Sequence, residues 1–204
     1  MNVLILVDVQ IDFTPPNGSL AVPEGNEVVA VANRIASSFD RVIATQDCHP
    51  ADHGSFAANH EGREVGEVIH LHGLDQILWP THCVQGSTGA EFHPELDRAL
   101  IHEVFPKGTD PDVDSYSGFF DNGKRRATGL GDRLKELEVR KVFVMGLATD
   151  YCVKFTALDA VGLGFDVTLI EDGCRGVDLS PGDVAAAIAE MKDAGVRVIS
   201  STDI

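Results

Sequence analysis

Residues 141–163 read KVFVMGLATDYCVKFTALDAVGL, and the two halves of this stretch have different periods. Lys141–Leu147 is a short run rich in apolar and β-branched residues, the pattern of a strand. From Asp150 to Leu163 the period changes. Tyr151, Phe155 and Leu158 then recur on one face, as in a helix. A strand that runs directly into a helix is half of a βαβ unit, and the rest of the chain repeats the theme.

Upstream, Val3–Val9 predicts a strand buried on both faces. Asn26–Phe39 predicts a helix with Val28, Ala32, Ile35 and Phe39 at helical spacing. Strands are predicted over Arg41–Thr45 and His102–Phe105, and a short charged helix over Gly131–Val139. Downstream, a strand over Asp166–Ile170 precedes a helix over Ser180–Ala194. Ser180 suits the N-cap of that helix and Pro181 its first turn. Val196–Ile199 closes the sheet. Strands alternating with helices imply right-handed crossovers. The expectation is a single domain over residues 1–204: a three-layer α/β/α sandwich around a mainly parallel sheet of about six strands.

Composition narrows the function. The chain has 204 residues, 44% of them hydrophobic, and a formal net charge of −16. That is enough chain and apolar content for a core without staples. Dispersed acidity argues against nucleic acid or an anionic membrane as a partner. No apolar run approaches the roughly 20 residues that span a bilayer. The N-terminus has no basic segment or cleavage site of a signal peptide. Cys48, Cys83, Cys152 and Cys174 form no C-x-x-C pair, so free thiols in a reducing cytoplasm are expected.

In open parallel sheets, ligands bind beyond the carboxyl ends of the strands. The chemically informative residues fall there. Asp8 ends the first strand, Asp47 and His49 follow the second, Lys107 follows the third, and Cys152 opens the helix after Lys141–Leu147. Thr149 or Asp150 can cap that helix, which puts Cys152 in its first turn, where unpaired N–H groups favour a thiolate and a developing oxyanion. Each residue also has an ordinary explanation: a buried apolar cysteine, a capping aspartate, a solvated lysine. Together they suggest a cysteine-dependent α/β enzyme in which Asp8 takes the thiol proton and Lys107 supports the thiolate.

The stretch TQDCHPADHGSF places Asp47 and His49 on one face of an extended segment, and WPTHC adds His82. One carboxylate and two imidazoles, with positions left open, suit a catalytic divalent ion, and Ser55 or His53 can add a fourth contact. Such an ion lowers the pKa of bound water to about 7 and can orient a heteroaromatic ring nitrogen. His60, His70, His72, His93 and His102 read as ordinary loop residues, and Cys83 as a buried thiol.

VDVQIDF, TQDCHPADHGSF, WPTHCVQGSTGAEFHP, FPKG, YSGF and GLATDYCVKFTALDA together resemble the nicotinamidase branch of the isochorismatase-like hydrolases, in the family's order from residue 3 onward. The resemblance implies hydrolysis of nicotinamide, and of pyrazinamide, through a Cys152 thioester in pyridine nucleotide salvage. It implies a triad of Asp8, Lys107 and Cys152. It implies one divalent ion (Zn, Fe or Mn) on Asp47, His49 and His82, with Ser55 or His53 nearby. It implies a ring pocket of Phe13, Trp79 and Tyr116. It also implies a cis peptide between Leu147 and Ala148 that aims the Ala148 and Cys152 N–H groups at the oxyanion. Two positions depart from the pattern. Cys48 stands where members commonly carry an aromatic residue, and Tyr151 where some carry histidine, so Tyr151 is given no catalytic role. Two other readings stay open: a different hydrolase on this scaffold (isochorismatase, ureidoacrylate or N-carbamoyl amidase), and a non-catalytic module. Homo-oligomers are compatible with all of them.

Overall fold

The computed structural model describes residues 1–204. Six strands form one sheet: β1 (Asn2–Val7), β2 (Arg41–Asp47), β5 (Glu103–Lys107), β6 (Lys141–Leu147), β7 (Asp166–Arg175) and β8 (Arg197–Ile199). Their order is β5-β2-β1-β6-β7-β8, and every pairing is parallel. The flanking helices are α1 (Glu27–Ile35), α2 (Leu130–Glu136), α3 (Lys154–Gly162) and α4 (Asp183–Asp193). A separate antiparallel hairpin joins β3 (Val68–Leu71) to β4 (Leu74–Ile77).

Val3 to Val7 are all buried, so β1 is apolar throughout, as a central parallel strand must be. The chain leaves β1 toward β2 and β5, then returns to pair β6 on the other side of β1. The order therefore reverses between β1 and β6. A crevice opens at such a point, and its walls are the residues that end these strands.

Gly146 is what lets β1 and β6 lie so close there. Its φ is +129°, and a Cβ at this position would sit on the Val7 carbonyl oxygen and 2.8 Å from the Val7 nitrogen. Gly146→Ala is expected to cost about 3 kcal/mol or more, since both the backbone angle and the space forbid a side chain. Thermal melting checks this, and an unchanged Tm would mean that the two strands separate easily.

Several expected boundaries move for identifiable reasons. The third predicted strand runs on through Pro106 to Lys107. It is an edge strand, where a missing N–H costs no ladder bond. The predicted first strand stops at Val7, because Asp8 turns away with φ 49°. The Asp166–Ile170 strand extends to Arg175, past a register shift between Val144 and Gly146.

The helix predicted from Ser180 begins at Asp183, and its N-cap is Gly182, not Ser180. The Asp183 carboxylate instead accepts the Ser180 N–H at 2.9 Å, so the turn is closed from the helix side. Neither Thr149 nor Asp150 caps the helix after β6. Asp150 accepts the Val177 and Asp178 N–H groups at 3.0 and 2.8 Å, tying that helix start to the loop after β7.

Candidate active site

The sheet order alone assembles the site. Lys107 ends β5, Asp47 ends β2, Asp8 follows β1, and Cys152 follows β6. Asp47 and Lys107 are direct partners in the β2–β5 ladder. Lys107 is two strands from Asp8, roughly 10 Å across the sheet, a gap that an extended lysine side chain reaches over. Its side chain is wholly buried, as is that of Asp8.

Burying an ammonium demands partners for its three protons. Lys107 Nζ donates to an Asp47 carboxylate oxygen, to the Ser115 carbonyl at 2.8 Å and to Cys152 Sγ at 3.4 Å. Asp8 Oδ2 lies 2.8 Å from the same nitrogen in ion-pair contact, while Thr45 Oγ1 donates to Asp8 Oδ1 at 2.6 Å. Cys152 Sγ lies within 4.8 Å of carboxylate oxygens of both aspartates. The sulfur is held in the turn Thr149–Val153, where Val153 N–H bonds back five residues to the Ala148 carbonyl. The Leu147–Ala148 peptide is cis, as the resemblance implies.

Burial pushes the Cys152 thiol well above its ordinary pKa, and the Lys107 ammonium only partly offsets that. A raised thiol pKa agrees with the expectation that the sulfur gives its proton to a base. Burial likewise raises Asp8 to about 6, against the pull of Lys107. That value places a proton acceptor near neutrality beside the sulfur. Asp47 goes the other way. Burial opposes ionisation, but the Lys107 ammonium beside it holds its carboxyl well below the usual carboxylate range.

Asp47, His49 and His82 converge next to this triad, with one donor atom of each within 4.8 Å of the others. His49 Nδ1 donates to the Gly108 carbonyl at 2.8 Å, and His82 Nδ1 to the Pro80 carbonyl at 2.7 Å. Both rings are thereby fixed with an Nε2 lone pair toward Asp47 Oδ2, at 3.5 and 3.8 Å. His49 Nε2 is buried and has no hydrogen-bond partner. A buried lone pair without a donor, beside an ionised carboxylate and a second lone pair, fits a divalent cation. Gly108 serves this arrangement directly: its φ is +63°, and a Cβ there would meet the His49 ring.

Ser55 and His53 lie alongside. The Ser55 hydroxyl and N–H lie 2.7 and 3.2 Å from His53 Nδ1. His53 Nε2 is buried and has no hydrogen-bond partner. Cys83 is the buried thiol expected, its pKa raised well above normal by burial. The other five histidines are not among the buried residues. Cys48 is half-buried and lies outside the pocket lining.

A pocket opens onto Cys152, bordered by Phe13, Trp79, Tyr116 and Ala148 as expected, and also by Asp47 and His82. Sequence reasoning missed Leu20, Val22, Asp114, Tyr151 and Val177 on the same wall. It also missed the residues behind it. Gln10, fully buried, donates to the Asp47 and Ala90 carbonyls and accepts the Asp47 N–H, all at 2.8 Å. Phe56 packs edge-on against both His49 and His82 at 5.4 Å. The one available signal for Gln10 was its place two residues after Asp8.

An α/β scaffold that delivers a thiol to an acid–ammonium pair at its switch point is the architecture of a cysteine-dependent hydrolase. The chain belongs to the isochorismatase family, whose domain model matches residues 2–203. It is 53% identical over 204 residues to a nicotinamidase of Escherichia coli (strain K12), covering 98% of this chain and 95% of that one. Its structure is similar to an Acinetobacter baumanii nicotinamidase/pyrazinamidase, with TM-score 0.95 and 45% identity over 99% of this chain and 97% of the other. It is also similar to a Pyrococcus horikoshii pyrazinamidase solved in complex with zinc, with TM-score 0.79 and 35% identity over 98% of each chain.

Proposed function

We propose that this protein is a nicotinamidase that hydrolyses nicotinamide to nicotinate and ammonia, and that also accepts pyrazinamide. One observation carries the reading: a buried ammonium joins the sulfur of Cys152 to two carboxylates, one of them a member of the cation-binding set. The identities to nicotinamidases over nearly the whole chain support the choice of substrate.

The aromatic ring enters between Phe13, Trp79 and Tyr116, with its amide over Cys152. Asp8 takes the thiol proton as sulfur attacks the amide carbon, and Lys107 steadies the sulfur charge. The Ala148 and Cys152 N–H groups receive the oxyanion. Asp8 returns the proton to the leaving nitrogen, and ammonia departs. Water then adds to the thioester, giving its proton to Asp8, and expulsion of the protonated sulfur restores Cys152. A divalent ion on Asp47, His49 and His82, be it Zn, Fe or Mn, supplies a Lewis acid that orients the pyridine nitrogen and makes water more acidic. His53 or Ser55 would add a further contact to that shell. No helix of the structure is long and apolar enough to cross a membrane. The four free thiols support a reducing compartment such as the cytoplasm.

The test is ammonia release from nicotinamide and pyrazinamide, and pyruvate release from isochorismate, with and without a chelator. Nicotinamide and pyrazinamide are expected to react and isochorismate not. Chelation is expected to lower the rate by about 100-fold or more, and Zn, Fe or Mn to restore it. Full activity in protein with no metal by elemental analysis would remove the ion from catalysis. Turnover of isochorismate alone would favour the sister activity on this scaffold.

A further inference from the structure

Two aromatic rings divide the substrate pocket from a second hollow. That hollow opens to solvent and is bordered by Ile77, Phe155 and Ala187, with Asp150, Lys154, Asp183 and Glu190 among its charged neighbours. Tyr116 and Tyr151 line both spaces. Their ring centroids are 5.5 Å apart, so the two rings form one continuous partition.

The two rings are held differently. The Tyr116 hydroxyl accepts Trp79 Nε1 at 3.1 Å and Gln76 Nε2 at 3.4 Å. Gln76 is itself buried and donates to Asp114 at 3.2 Å and to the Ile77 carbonyl at 2.7 Å. Tyr116 is thus locked from the hairpin side. Tyr151 rests edge-on against Trp79 at 5.0 Å and 89°, and the polar groups near its hydroxyl, Asp150 and Asp183, act on it only through charge. It also directly precedes Cys152 in the same turn, so its backbone is fixed relative to the nucleophile. Packing of its ring, not a hydroxyl bond, holds this half of the wall in place.

We propose that Tyr151 determines substrate specificity. Its ring confines the substrate to a single six-membered heteroaromatic carboxamide, and its removal joins the pocket to the Phe155–Ala187 hollow, which then takes a ring-fused carboxamide. This rests on the amidase reading above. The space beyond the partition suits a second ring, because Ile77, Phe155 and Ala187 offer apolar contact there.

The experiment compares wild type, Tyr151→Phe and Tyr151→Ala, each metal-loaded, on nicotinamide and on two benzo-fused analogues, quinoline-3-carboxamide and isoquinoline-4-carboxamide. Ratios of kcat/KM are measured, together with equilibrium binding of the same amides in a Cys152→Ala background. Tyr151→Ala is expected to shift the preference toward at least one fused amide by about tenfold or more, in turnover and in binding. Tyr151→Phe, which keeps the ring, is expected to keep the wild-type preference. Tyr151→Leu applies the same threshold with less loss of packing, should the alanine variant fail to fold. A smaller shift for both fused amides overturns the proposal, as does an equal shift in Tyr151→Phe. If wild type releases no ammonia from nicotinamide, the amidase reading falls, and the binding ratios still decide the role of Tyr151.

Discussion

Replacing Cys152 with alanine is expected to reduce ammonia release from nicotinamide by about 10⁴-fold or more while leaving the fold and the bound metal in place. The sulfur is the only thiol in the pocket lining, and it touches the acid–ammonium pair. It lies outside the Asp47–His49–His82 set, so elemental analysis should return the wild-type metal content. The stability cost is expected to be about 1 kcal/mol, because one small buried group is lost and no charge is exposed. The proposed mechanism includes a base for a physical reason. Burial holds the thiol neutral, and Asp8, raised to about 6 by its own burial, can take the proton when the substrate arrives. Cys152→Ala protein that still released ammonia within tenfold of wild type would place the nucleophile elsewhere.

The order of strands and helices was legible because parallel strands buried on both faces leave continuous apolar runs, as in Val3–Val7 and Lys141–Leu147. The positions of Asp8, Asp47, His49, Lys107 and Cys152 followed from the rule that ligands sit beyond strand ends. The residues themselves were visible, but their connections were not. Nothing in the local sequence says that Lys107 donates to Asp47 and Cys152 together, for these lie 60 and 45 residues away. The hairpin β3–β4 was missed because only one of its strand residues is buried, and its turn is built on His72 and Gly73, both at positive φ, rather than on the usual Asn-Gly. Gln76, the polar link from that hairpin to Tyr116, was hidden with it. Tyr151 was set aside as chemically inert, and its importance lies in shape. A single sequence carries periodicity and chemistry well, but which ring becomes a wall depends on packing between distant segments.

Lys107→Met is expected to have the largest effect on stability. Methionine nearly matches the volume but removes the charge, so two buried carboxylates are left facing each other without the ammonium that held them. Breaking a buried ion pair from one side costs about 3–5 kcal/mol, far more than a surface pair. The sign of the pH dependence follows. Without Lys107, repulsion and burial raise the native pKa of at least one of Asp8 and Asp47 above its unfolded value, so the folded variant binds the extra proton. A group raised in the folded state stabilises below its unfolded pKa and loses that contribution as pH rises through the folded one. The Tm deficit of Lys107→Met against wild type is therefore expected to be large at pH 8 and to shrink toward pH 5, where the carboxyl is protonated. Ammonia release is expected to fall by about 10³-fold or more at either pH, since Cys152 also loses its one cationic neighbour. Metal loading should recover part of the stability, because a cation on Asp47 replaces some of the missing charge. Thermal melts at the two pH values, with and without metal, measure all of this. A deficit that did not change with pH would mean that Lys107 contributes packing and not charge, and the electrostatic account of the triad would have to be given up.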